Sequence, residues 1–202
     1  MPGTAASDRA GFRFRSGRLS LDLTATVVKR PVDPTDLLVE PGDLTRWFAA
    51  AGLGSTGQAS AAQLQKARDL REAVYLLARA RIDTKPLPGP AVALVNRFAR
   101  QADAVPQLNR EGRAAARQAE VETALSTVAR DAIALLSSPD AARLKECALT
   151  PCAVLFVDAS RAGHRLWCDT ASCGNRARVR RHRARRVRAV AAGRRPERAT
   201  AS

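Results

Sequence analysis

Residues 147–176 read "CALTPCAVLFVDASRAGHRLWCDTASCGNR" and hold every cysteine of the chain: Cys147, Cys152, Cys168 and Cys173. They form two C-x4-C pairs with fifteen residues between them. Two short-range thiolate pairs joined by a hairpin-length connection suit a closed tetrahedral zinc site, each pair wrapping one edge of a single ion. Two other readings stand beside it: disulfides, which four cysteines can make in three connectivities, and four unrelated buried thiols. A reducing compartment disfavours the first, and two equally spaced pairs within twenty-seven positions disfavour the second. With all four positions filled by protein sulfur, no site is left for water or substrate, so the predicted zinc is structural rather than catalytic. In so small a segment the metal supplies folding free energy of about 10 kcal/mol or more. His164 is expected in a loop and His182 on a helix face.

Between the pairs, Val154 to Val157 and Arg165 to Cys168 are expected as two strands around a turn at "SRAG", with Gly163 supplying the permissive backbone and Trp167 covering the metal site. After Cys173, nothing breaks a helix between Asn175 and Ala192, and Gly193 and Pro196 are natural stops. Gly174 lets the chain turn beside the sulfur, and Asn175 is the predicted cap. Knuckle, hairpin, knuckle, helix is the order of a treble-clef-like finger. Four thiolates on one zinc ion carry a net charge of about −2, so Arg176 and in part Arg178 are expected to serve the site itself. Arg180, Arg181, Arg183, Arg185, Arg186 and Arg188 have no such local use. Ala177, Ala184, Val187 and Ala191 form only a thin apolar seam, so the helix cannot bury a broad face. Asn175, Arg176, Arg178 and those six arginines are therefore the candidate nucleic-acid contacts.

The charge distribution agrees. The 202-residue chain has a formal net charge of +15, and residues 161–202 alone carry thirteen arginines against Asp169 and Glu197, a net of +11. A field so concentrated favours a polyanion, nucleic acid or an anionic membrane surface. Arginine is the preferred cation throughout, thirty against four lysines, which accounts for the residue type but not for the clustering. "MPGTAASDRAGFRFRSGR" at the N-terminus lacks the apolar stretch of a signal peptide, and no run approaches the roughly 20 apolar residues of a membrane span. A cytoplasmic location without membrane partners is expected.

Residues 1–140 read as a helix-dominated α+β domain, 141–192 as the finger with its basic helix, and 193–202 as a flexible tail. "GFRFRSGRLSLDLTATVV" alternates around Ser16-Gly17 and predicts a hairpin. "PGDLTRWFAAAGL" predicts a short helix with Asp43 near its start and Gly52 past its end. Leu64, Leu70, Val74, Leu77 and Ile82 stripe a longer helix from about Ala59, stopped by "KPLPGP". A further helix spans Pro90 to Gln101 with Val95 and Phe98 inward, and residues 103–119 suggest short strands. Val121, Leu125, Val128, Ile133 and Leu136 mark a last helix, closed by "SSPD". There is no glycine-rich phosphate loop and no His/Cys nucleophile pair, and no enzyme is expected. Asp22, Arg71 and Asn96 are candidate lining residues of a small-molecule pocket; the alternative is that they are satisfied structural polar groups.

"CGNR" at 173–176, preceded by Phe156, Asp158, Ser160, Arg165, Trp167 and Cys168, resembles the CGNR zinc-finger family of bacterial proteins. "GRLSLDLTAT", "PGDLTRWFAAAGL", "LREAV" and "LVNRF" resemble the ABATE domain usually joined to that finger, described as a stress-induced transcription regulator. One departure stands out: where the family commonly has Asn before Thr in an L-D-x-x-N-T element, this chain has Ala25 before Thr26. If that asparagine helps form a ligand pocket, this member binds a different ligand or none. The resemblance implies a DNA-binding regulator responding to stress, in which the larger domain senses a small-molecule effector or mediates homodimerisation. An RNA-binding protein, and a small-molecule binding protein or enzyme built on the N-terminal domain, are the alternatives.

Overall fold

The computed structural model describes residues 8–54, 57–101, 110 and 120–191, and the side chains up to residue 188. The predicted strands at 103–119, residue 110 apart, the stops at Gly193 and Pro196 and the tail at 193–202 lie outside the described residues. The chain opens with a ribbon of β1 (Asp8–Arg9) and β2 (Phe12–Arg13), antiparallel with Asp8 opposite Arg13. Its two-residue turn, Ala10-Gly11, has φ of 50° and 84°, the primed-turn geometry that matches strand twist. Helix α1 (Leu19–Thr24) follows, then a second ribbon of β3 (Val27–Val28) and β4 (Thr35–Asp36).

The predicted hairpin around Ser16-Gly17 is thus corrected: "LSLDLT" is helical, and the ribbon forms upstream of it. The alternation misleads because the polar residues between the leucines are also buried. Ser20 gives its N–H and hydroxyl to Asp131, at 2.8 and 2.6 Å, and Asp22 accepts from Ser16. A helix buried on every side has no polar face to reveal its period.

Four longer helices build the core: α2 (Pro41–Ala50), α3 (Ala61–Ile82), α4 (Gly89–Ala99) and α5 (Val121–Leu136). Their starts are chemically specified. Asp43 accepts the N–H groups of Val39 and Glu40 at 2.7 and 2.9 Å, while Ser60 and Gln63 exchange hydrogen bonds across the first turn of α3. Past α2, Gly52 takes φ 76°, as the predicted stop requires. Trp47 and Phe48 of α2, Leu70 and Val74 of α3, Val95 of α4 and Leu125 and Val128 of α5 interdigitate in one apolar cluster. On α5 the seam turns onto Leu135, and Ile133, expected inward, is exposed.

A 3-10 turn (Pro139–Arg143), capped by Ser138, leads into the third ribbon, β5 (Leu144–Glu146) with β6 (Leu155–Val157). β6 therefore pairs with β5 and not with Arg165–Cys168, which corrects the second predicted hairpin. Ala148 still donates to the Leu166 carbonyl at 2.9 Å, but residues 158–165 are gathered into a loop around Asp158. Leu144, Leu155 and Val157 of this ribbon pack with Leu21, Ala78 and Leu135, and Val157 N–H donates to the Ser16 carbonyl at 2.9 Å. A π-helical turn (Thr170–Gly174) then runs directly into α6 (Asn175–Ala191).

Candidate metal centre and basic helix

Cys147 closes the β5–β6 ribbon, its N–H donating to the Val154 carbonyl at 2.9 Å, so Cys147 and Cys152 sit on the loop at the ribbon's end. Cys168 follows the loop from 158, and Cys173 lies in the π turn that starts α6. All four are buried, and their sulfurs lie within 4.8 Å of one another. The Cys152–Cys168, Cys168–Cys173 and Cys173–Cys152 separations are 3.7, 3.7 and 3.6 Å. A disulfide needs about 2.05 Å, whereas the edge of a tetrahedron with metal–sulfur bonds of about 2.3 Å is about 3.8 Å. The geometry is that of one closed, structural zinc site, and all four thiols are free.

The donor chemistry agrees. Cys147 ionises most readily: the Cys152 and Cys168 thiols donate to it, joined by the N–H groups of Cys168 and Leu149, which hold its pKa well below that of a free thiol. The Cys147 sulfur in turn pushes the Cys152 and Cys168 thiols up. Four sulfurs this close sustain four negative charges only around a cation.

The loop before Cys168 is organised from a fully buried carboxylate. Asp158 accepts from Lys145 Nζ at 2.7 Å, from Ser160 N–H and hydroxyl at 3.0 and 2.5 Å, and from Arg165 N–H at 2.9 Å. Burial acts to raise its pKa, but these four donors prevail and hold it well below the usual carboxylate range. Arg165 in turn lies 4.8 Å over the Phe156 ring, donates to the Trp167 carbonyl at 2.8 Å and also reaches the Cys168 carbonyl. The Asp, Ser, Arg and Trp of the CGNR-type pattern are thus the scaffold that presents Cys168. Sequence reasoning missed Lys145; its signal is that it is one of four lysines in a chain that otherwise uses arginine.

At the start of α6 the capping residue is Asp169, whose carboxylate accepts from Ala171 N–H at 3.0 Å and Ser172 hydroxyl at 2.6 Å. Asn175, the predicted cap, already has helical φ and ψ, because the π turn extends the helix back past it. Gly174 has no left-handed backbone, and a Cβ there would meet the Trp167 ring at 3.4 Å, an ordinary van der Waals contact. Arg176 donates to Cys173 Sγ at 3.2 Å, the local role expected of it. From Arg178 to Arg188 every residue of α6 is exposed, Val187 included, and among the described residues no carboxylate pairs with an arginine of this helix.

Among the described residues no hydrogen bond or ion pair joins Asp22, Arg71 and Asn96 to one another. Asp22 accepts from Ser16 N–H and hydroxyl at 3.1 and 2.6 Å. Arg71 forks onto Asp36 at 2.6 and 2.8 Å, with further bonds to Glu72 and Thr26. Asn96 is exposed on α4. Ala25, at the departure from the family pattern, is buried in the same apolar cluster as the four cysteines.

A helical N-terminal domain joined to a four-cysteine zinc finger is the class that this fold and site define. The comparison with protein families specifies it: the ABATE model, described as "Putative stress-induced transcription regulator", matches residues 17–139, and the CGNR zinc finger model matches residues 143–186. The chain belongs to the ABATE family and carries a CGNR zinc finger. No curated protein matched it.

Proposed function

We propose that the protein is a bacterial, cytoplasmic, non-enzymatic transcription regulator that binds duplex DNA through α6. One observation carries this: an arginine-rich helix, exposed from Arg178 to Arg188 and free of carboxylate partners among the described residues, starts from a zinc-binding turn that fixes its origin. Such a helix repels itself in water and is relieved beside phosphates. On this reading Arg180, Arg181, Arg183, Arg185, Arg186 and Arg188 supply phosphate contacts, while Asn175 and Arg178, near the helix start, reach base edges. Arg176 serves the cysteine cluster first. The family description, which names transcription regulation, supports the same reading.

The test is salt-dependent binding of zinc-loaded protein to duplex DNA. Six phosphate contacts give a slope of log K against log salt of about −5, and Arg181→Gln with Arg185→Gln lowers its magnitude by about 2. A flat salt response sinks the proposal. Arginine points from α6 in nearly every direction rather than on one face, which also suits structured RNA. Tighter binding to an RNA hairpin than to duplex DNA at equal salt selects that reading.

A further inference from the structure

The basic surface does not end with α6. Arg15, between β2 and α1, reaches across the molecule: it pairs with Asp8 of β1 at 2.7 Å, lies 3.5 Å from Asp169, and donates to the Ser172 hydroxyl. Asp169 and Ser172 belong to the capped turn from which α6 starts, so the β1–β2 hairpin stands directly beside the foot of the basic helix.

The same contacts leave the hairpin with surplus charge. Asp8 is its one acid, and Arg15 takes it. Arg9 lies 4.5 Å over the Phe14 ring, which orients the guanidinium without neutralising it. Arg13 is partly exposed and has no ion pair among the described residues. Phe12 is buried and Phe14 stacks on Trp47, 6.1 Å away, so the alternating Arg13 and Arg15 share the opposite side of the extended chain. Side chains two apart on one side of a strand are about 7 Å from each other, close to the spacing of successive phosphates along a DNA strand. Arg13 thus stands on the side of Arg15, which reaches the foot of α6, whereas Arg9, opposite Phe12 in the ribbon, lies on the side of Phe14.

We propose that the β1–β2 hairpin is a second phosphate-binding element, Arg13 holding the backbone of the same duplex that α6 contacts. This rests on the function proposed above. The hairpin contact would position the protein and carry no sequence information.

The experiment compares three single variants of the zinc-loaded full chain by salt-dependent binding to duplex DNA: Arg13→Gln, Arg181→Gln and, on α4, Arg97→Gln. All remove the same charge. Zinc content and circular dichroism report folding independently. Loss of the hairpin contact lowers the magnitude of the slope by about 0.9, uniformly across sequences, with no change for the α4 variant. A hairpin variant with the parental slope overturns the proposal while the α6 variant still upholds the function. An equal loss in the α4 variant overturns it too, as a net-charge effect. No salt-sensitive binding by the parent, or a preference for hairpin RNA, removes both.

Discussion

The Lys145 ammonium lies 2.7 Å from the carboxylate of fully buried Asp158, joining β5 to the end of β6 and to the loop that carries Cys168. Removing the cation leaves a buried charge with only neutral donors. Lys145→Ala is expected to cost about 3 kcal/mol in denaturant unfolding, the lower part of the range for a broken buried pair because Ser160 and Arg165 still donate. Asp158 is depressed in the folded state, so its contribution is present above about pH 4 and is lost as pH falls through its folded value. In the variant that loss begins at higher pH.

Metal binding should be stoichiometric and structural. One zinc per chain is expected, and a cobalt-substituted sample should show the absorption of tetrahedral sulfur coordination. Cys168→Ser is expected to abolish stoichiometric binding and to lower helicity, since the π turn that starts α6 contains a ligand. Full cobalt loading of Cys168→Ser with unchanged spectra would refute the four-sulfur site.

Asp22 provides a pH test. Burial lifts its pKa from 3.8 to about 6 against the opposing hydrogen bonds of Ser16. The folded state thus holds the proton more tightly than the unfolded chain, so the favourable contribution is complete below about pH 4 and lost as pH rises through 6. Asp22→Asn keeps an acceptor for Ser16 and cannot ionise. Its stability relative to the parent should rise between pH 4 and 7, by at most about 3 kcal/mol; a constant difference would count against the shift.

The turn residue Ala10 has φ 50°, a region that costs an L-residue about 1 kcal/mol. Ala10→Gly should raise the melting temperature slightly, with unchanged zinc content. A lower melting temperature would show that the turn is not strained there.

The local chemistry of the chain determined the four metal ligands, the extent of α2, α3 and α5, and the run of arginine on α6, because cysteine spacing, 3.6-residue periodicity and capping residues act over a few positions. Only the tertiary structure decided how β6 pairs, what Asp22 and Asp158 do, and where Ala25 lies. β6 has the same alternation whether its partner is Leu144–Glu146 or Arg165–Cys168, and the choice follows from Leu144, Leu155 and Val157 finding Leu21, Ala78 and Leu135. Buried polar residues likewise read as surface until their partners, distant in sequence, are known: Asp131 for Ser20, Lys145 for Asp158, Ser172 for Arg15. Hydrogen bonds between segments depend on packing that no local pattern encodes.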